Sequence, residues 1–88
     1  MKNIIEGVNH ILAEWDPLGV GENIAKDEYK RYIPLILKDI KSKRDLTVCL
    51  ENILINNLEV GYDKENNEHK YALNKIVEKI MQLYLERK

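Results

Sequence analysis

The chain has no phenylalanine, one tryptophan, one cysteine, two prolines and four glycines in 88 residues. The lone cysteine, Cys49, excludes an intrachain disulfide. Hydroxyl nucleophiles are as scarce: Ser42 and Thr47 are the only serine and threonine, and no G-x-S-x-G element surrounds the serine. Charge of one sign is missing too, since 14 basic residues against 15 acidic ones leave a net charge of -1. A dedicated nucleic-acid binder carries a strong basic excess, and an acidic mimic of nucleic acid carries the reverse; neither fits this balance. No apolar run approaches the ~18 residues that cross a bilayer. Glu6, Asn9, His10 and Glu14 interrupt the stretch where a signal peptide would hold its apolar core. With one cysteine and no secretion signal, the composition points to a reducing, cytoplasmic setting.

What the chain does have is apolar residues, 44% of the total, interleaved with 33% charged ones. Its length fits one domain, residues 1–88. A domain this small buries only about 60–65% of its unfolded surface, so one shared core is the workable design.

Helical spacing dominates. Ile4, Ile5, Val8, Ile11, Leu12 and Trp15 predict a first helix from Asn3, a candidate cap with Glu6 as its partner. Asp16 before Pro17 stops it. Residues 16–26 (DPLGVGENIAK) read as a loop. It is unusually apolar, through Leu18, Val20 and Ile24, and is expected to be ordered and to fold back onto one end of the core. Asp27 is the expected cap of a second helix reaching about Lys41, with Tyr29, Tyr32, Ile33, Ile36, Leu37 and Ile40 as its stripe. Pro34 inside that stripe predicts a kink, or else a short turn followed by a new helix. A third helix is expected from Asp45, as its cap, to Val60, with Gly61 as its left-handed stop. Apolar around most of its circumference, with Val48 and Ile55 added to the face of Leu46, Cys49, Leu50, Ile53, Leu54 and Leu58, it reads as the central helix. After a loop at 61–66 that packs Tyr62, a last helix runs from about Asn67 to Arg87. The fold expected is all-α: a compact four-helix bundle-like domain with a kinked second helix and an ordered apolar loop after the first.

Motifs that would carry chemistry are thin. His10 and Glu14 share a helix face, but two ligands do not close a metal site. The run from Asp63 starts like a calcium loop, then places Glu68 where glycine is needed and Asn74 where the bidentate acid is needed. Cys49 sits on the apolar face of its helix, where cysteine fills space. Gly19-Val20-Gly21 is followed by no Lys–Ser/Thr pair and preceded by no strand, so it does not read as a phosphate loop. No catalytic residue, cofactor or metal ligand is assigned, and the chain reads as a non-enzyme.

Two clusters remain. Lys38, Lys41, Lys43 and Arg44 gather where the second helix ends, as a helix dipole favours; a weak nucleic-acid association through them is one alternative reading. The other cluster is Trp15, Asp16 and Pro17, with Tyr29 and Tyr32 following. A tryptophan, a capping acid and a rigid proline can lock a loop against a core. They can also form a contact for another protein, since Trp and Tyr anchor interfaces. A small-molecule site at Trp15, Asp16, Tyr29 and Tyr32 is a further alternative.

The stretch Ile11–Val20 (ILAEWDPLGV), followed by Asp27-Glu28-Tyr29 and Tyr32-Ile33-Pro34, resembles the YugE-like proteins, a bacterial family of unknown function. Similar W-D-P-x-G segments occur in other small bacterial proteins, some of them tied to toxin–immunity loci. The resemblance is firm over residues 11–36 and implies an all-α cytoplasmic protein; it supplies no catalytic residues. The functional expectation is therefore a protein-interaction module, monomeric or weakly homodimeric. Its expected partner is another protein, as for an immunity or regulatory protein, and neither a membrane nor nucleic acid.

Overall fold

Apolar residues three and four apart produce helix in all four expected places. The computed structural model describes residues 4–86, without the side chains of Glu22 and Asn23. The proposed cap Asn3 and the expected helix end at Arg87 lie outside the described residues. No strand occurs among the described residues, and the architecture is an all-α, bundle-like domain.

The first segment is α1, Ile4–Trp15, which buries Gly7, Val8 and Leu12. It packs along the last helix, α5, Asn67–Glu86, which buries Leu73, Ile76, Val77 and Ile80. Gly7 lies against Leu83 there: a β-carbon at Gly7 would meet Leu83 Cδ2 and push that side chain aside.

The second segment differs from its expected form in two ways. The stretch read as loop contains a helix, α2, Glu22–Glu28, packed on α1. Its buried anchor is Ala25, whereas Ile24 is 58% exposed. Leu18 and Val20 do pack on the core, as expected of the apolar loop. The expected cap Asp27 is instead inside α2, exposed and 3.5 Å from Lys30. The second difference concerns Pro34. A 3-10 turn at Lys30–Tyr32 ends the approach, and a new helix, α3, Ile33–Asp39, starts with the proline in its first turn. There its missing amide costs nothing, because first-turn amides have no partner within a helix. The chain thus takes the turn-and-restart form rather than a bend in one long helix. The apolar stripe survives the interruption: Tyr29, Tyr32, Ile33, Ile36 and Ile40 are all buried.

The third segment is α4, Lys43–Asn52, running into a π-helix at Ile53–Leu58. Its cap is Ser42, whose hydroxyl accepts the Asp45 amide at 3.3 Å, so the expected cap Asp45 sits in the first turn instead. The π-turns carry one extra residue per hydrogen-bonded ring. Leu58, four residues beyond buried Leu54, packs on the core side. The segment stops at Glu59, not Gly61: Glu59 is left-handed at φ 51°, and the Leu54 carbonyl takes both the Glu59 and Val60 amides. The helix is not wrapped on all sides as expected. Leu46, Cys49, Leu50, Ile53 and Leu54 face inward, but Val48 is 48% exposed. Two residues along a helix turn about 200° away, so Val48 could not share the face of Leu46. The core is shared, with α5 packed on both α1 and α4.

No helix among the described residues is long and apolar enough to cross a membrane.

Candidate functional site

The corner after α1 is built around one carboxylate. Asp16 is left-handed at φ 46°, yet its amide still reaches the Leu12 carbonyl at 2.8 Å. Its own carbonyl accepts the Gly19 amide at 2.9 Å, closing a turn with Pro17 in second place, where a fixed φ suits it. The side chain then gathers the rest of the loop. Oδ1 accepts the Val20 amide at 3.1 Å and the Tyr29 hydroxyl at 2.8 Å, and Oδ2 accepts the Gly21 amide at 3.0 Å. The Tyr29 oxygen in turn accepts the Leu18 amide at 3.0 Å. The backbone geometry needs glycine at Gly21, where φ is 92°.

Electrostatics follow from this wiring. The Gly21 amide, then the Tyr29 hydroxyl, holds the Asp16 carboxyl below its ordinary range, against a smaller opposing effect of desolvation. Burial pushes the Tyr29 phenol up to about 12, and the Asp16 charge adds to the rise. Tyr29 is 2% exposed and Tyr32 is 8% exposed. The two tyrosines therefore support the corner from beneath, while Trp15, Asp16 and Pro17 are the half-buried members at its surface. The space enclosed by Trp15, Pro17, Tyr29 and Tyr32 with the leucines and isoleucines behind them measures about 10 Å³. That is the scale of one water, far below the ~300 Å³ at which ligand pockets begin.

A second tyrosine–carboxylate clasp lies across from the first. The Tyr62 hydroxyl donates to Glu51 Oε2 at 3.0 Å. Burial, followed by the Glu51 carboxylate, pushes this phenol up to about 12. Its ring stacks on His69, with centroids 5.9 Å apart and planes at 28°. The loop between is stitched locally. Asp63 Oδ1 accepts the Glu65 amide at 2.9 Å, and Asn66 Oδ1 caps α5 by accepting the Glu68 and His69 amides at 2.9 and 3.1 Å. His69 Nδ1 accepts the Asp63 amide at 3.0 Å.

Between the two clasps runs an open groove of about 240 Å³. Trp15 and Pro17 form one wall, Val60, Tyr62 and His69 the other, and Leu54, Ala72 and Leu73 the floor. The first wall was legible in the sequence. The second was not, because its residues come from segments more than forty positions away and share no spacing with the first.

Elsewhere, His10 and Glu14 form an exposed pair at 3.4 Å. No group of three His, Cys, Asp or Glu residues able to hold a metal ion occurs among the described residues. Of the basic cluster, Lys43 is drawn to Glu78 at 3.6 Å, and Asp39 and Asp45 stand among the others in sequence. Cys49 is buried, with its thiol 3.6 Å from the Leu35 carbonyl. Burial, with help from Asp39, pushes that thiol up to about 11.

No protein-family model, curated protein or solved structure matches the chain.

Proposed function

We propose that the chain is a non-enzymatic interaction module that holds another protein in the groove between its two clasps. The observation that carries this reading is the pairing of half-buried Trp15 and Pro17 with Tyr62 and His69 across about 240 Å³ of mainly apolar space. Tryptophan and tyrosine are the side chains that most often anchor interfaces. Both walls are fixed in advance by hydrogen bonds, which lowers the ordering cost of binding. The reading keeps the Trp15-Asp16-Pro17 corner as a contact and gives Tyr29 and Tyr32 a supporting role. The resemblance to YugE-like proteins, and the cytoplasmic immunity or regulatory role it suggests, belong to the same proposal.

Ala72 offers a test that spares the core, because it lines the groove yet is exposed. A tagged chain should recover a partner from source lysate, and Ala72→Arg should lose it while keeping its helical circular dichroism. Asp16→Ala should lose it as well, through collapse of the first wall. Undiminished recovery with Ala72→Arg would rule out the groove as the contact.

A further inference from the structure

His69 is the one histidine whose ring is built into the fold. Its Nδ1 is an acceptor, because the Asp63 amide, 3.0 Å away, can only donate. In a neutral imidazole one nitrogen accepts while the other carries the proton. The bond therefore fixes the tautomer with hydrogen on Nε2. A second proton would have to go onto Nδ1, where the amide hydrogen already points. Two donors cannot share that 3.0 Å gap.

We infer that protonation of His69 opens the second clasp, making the loop at 59–66 a pH-sensitive latch. The imidazolium must leave the Asp63 amide, and as it turns it leaves the face of Tyr62 on which it stacks. His69 sits in the first turn of α5. The ionisable groups around it are Tyr62 on its face, Glu51 on α4 behind the tyrosine hydroxyl, Asp63, Lys64 and Glu65 in the loop, and Glu68 and Lys70 beside it in α5. Across the groove α1 and the corner present only Trp15 and Pro17, which carry no charge. The carboxylates among these groups offer the imidazolium new partners once it has swung away, which favours the open form. The acceptor that the Asp63 amide has in the closed loop is His69 Nδ1. His10 provides an internal control, since its ring is exposed and pairs with Glu14 on its own helix. The inference does not require the groove to have an occupant, although opening the clasp would move Val60 and Tyr62 out of its wall.

The test is nuclear magnetic resonance on the whole chain, taken from about pH 8 to about pH 5, where imidazole takes up its second proton. Imidazole nitrogen shifts report the tautomer and titration of His69, and amide exchange, corrected for its intrinsic pH dependence, reports protection at Asp63. Protection should fall about tenfold or more in step with His69 protonation, the scale of one lost hydrogen bond. His69→Gln keeps an acceptor that does not titrate and should remove that fall, while His10→Gln should leave it in place. Asp63 protection that holds while His69 Nδ1 titrates would overturn the inference. So would a fall that persists in His69→Gln. The wild-type titration decides the matter without either variant.

Discussion

Asp16–Tyr29 and Glu51–Tyr62 each tie a loop to a neighbouring segment through a phenol donating to a carboxylate, at 2.8 and 3.0 Å. Their surroundings differ. Tyr29 is almost wholly buried, and its oxygen both donates and accepts. Asp16 takes two backbone amides besides the phenol. In the second clasp the carboxylate, phenol and imidazole are all half-buried, so water can replace a missing partner. Saturated, and resting on a buried phenol, the first clasp should act as a fixed part of the fold. The second, wetter and resting on a titratable ring, should be the one that moves.

Removing what the clasps share should have the largest effect. Leu54 is 2% exposed and lies behind both, bordering the groove and the small void under Trp15. Leu54→Ala should cost about 2–5 kcal/mol in a urea melt, enough to unfold a small domain. A loss below about 1 kcal/mol would show that the clasps stand without a common wall. Next comes the direct comparison. Tyr29→Phe should cost about 1–3 kcal/mol, because two part-buried bonds go: the Leu18 amide loses its acceptor and Asp16 Oδ1 is left with the Val20 amide alone. Tyr62→Phe should cost about 0.5–1 kcal/mol, with solvent taking over. Equal losses would remove the distinction between the two.

Much of this architecture was legible in the sequence, and the misses have common causes. The stripes Ile4–Trp15 and Leu73–Tyr84 announced their helices because each buries a continuous face. α2 gave no such signal: its buried residue is Ala25, and its one large apolar side chain described, Ile24, faces solvent. Ser42 was hidden in a basic run that looked like a fading helix, although the hydroxyl three residues before Asp45 is a capping arrangement. The π-turns leave no mark in a pattern that counts threes and fours. At the candidate site, Trp15, Asp16 and Pro17 stood out by residue type. The bonds from Asp16 to Tyr29 and from Glu51 to Tyr62 span 13 and 11 residues, and no spacing rule reaches across separate elements.

Backbone strain distinguishes the clasp corner from the end of the third segment. Asp16 and Glu59 are both left-handed without being glycine, at φ 46° and 51°. The bonds around Asp16 hold it there, whereas no side-chain bond of Glu59 to the described residues does so. Glu59→Gly should therefore raise stability by about 1 kcal/mol, the cost of a left-handed β-carbon. Asp16→Gly should lower the melting temperature despite relieving the same strain. Two changes of the same sign would mean that the side-chain bonds of Asp16 contribute little.

The smallest effects are those of pH on the whole fold. The Asp16 carboxyl is held below its unfolded value, so its contribution is present at neutral pH and is lost as pH falls below about 4. Asp16→Asn should flatten that acid slope. Tyr29 and Tyr62 are raised to about 12; their contributions hold up to about pH 10 and are lost as pH climbs beyond it. An ultraviolet titration should show Tyr29 and Tyr62 ionising late, and each phenylalanine variant should lose one late-ionising phenol.

Cys49 gives these comparisons an internal clock. It is the chain's only thiol, it lies where α4 meets the Leu35 carbonyl of α3, and both burial and its raised value suppress the thiolate. It is 9% exposed and borders a surface pocket with Asp39, Arg44 and Asn52, and a thiol reagent gains full access when those two helices part. The labelling rate therefore reports the parting of α4 from α3, on the helix that also carries Glu51 of the latch. Acid that loosens the latch alone should leave the opening equilibrium behind that rate unchanged, while Leu54→Ala should quicken it.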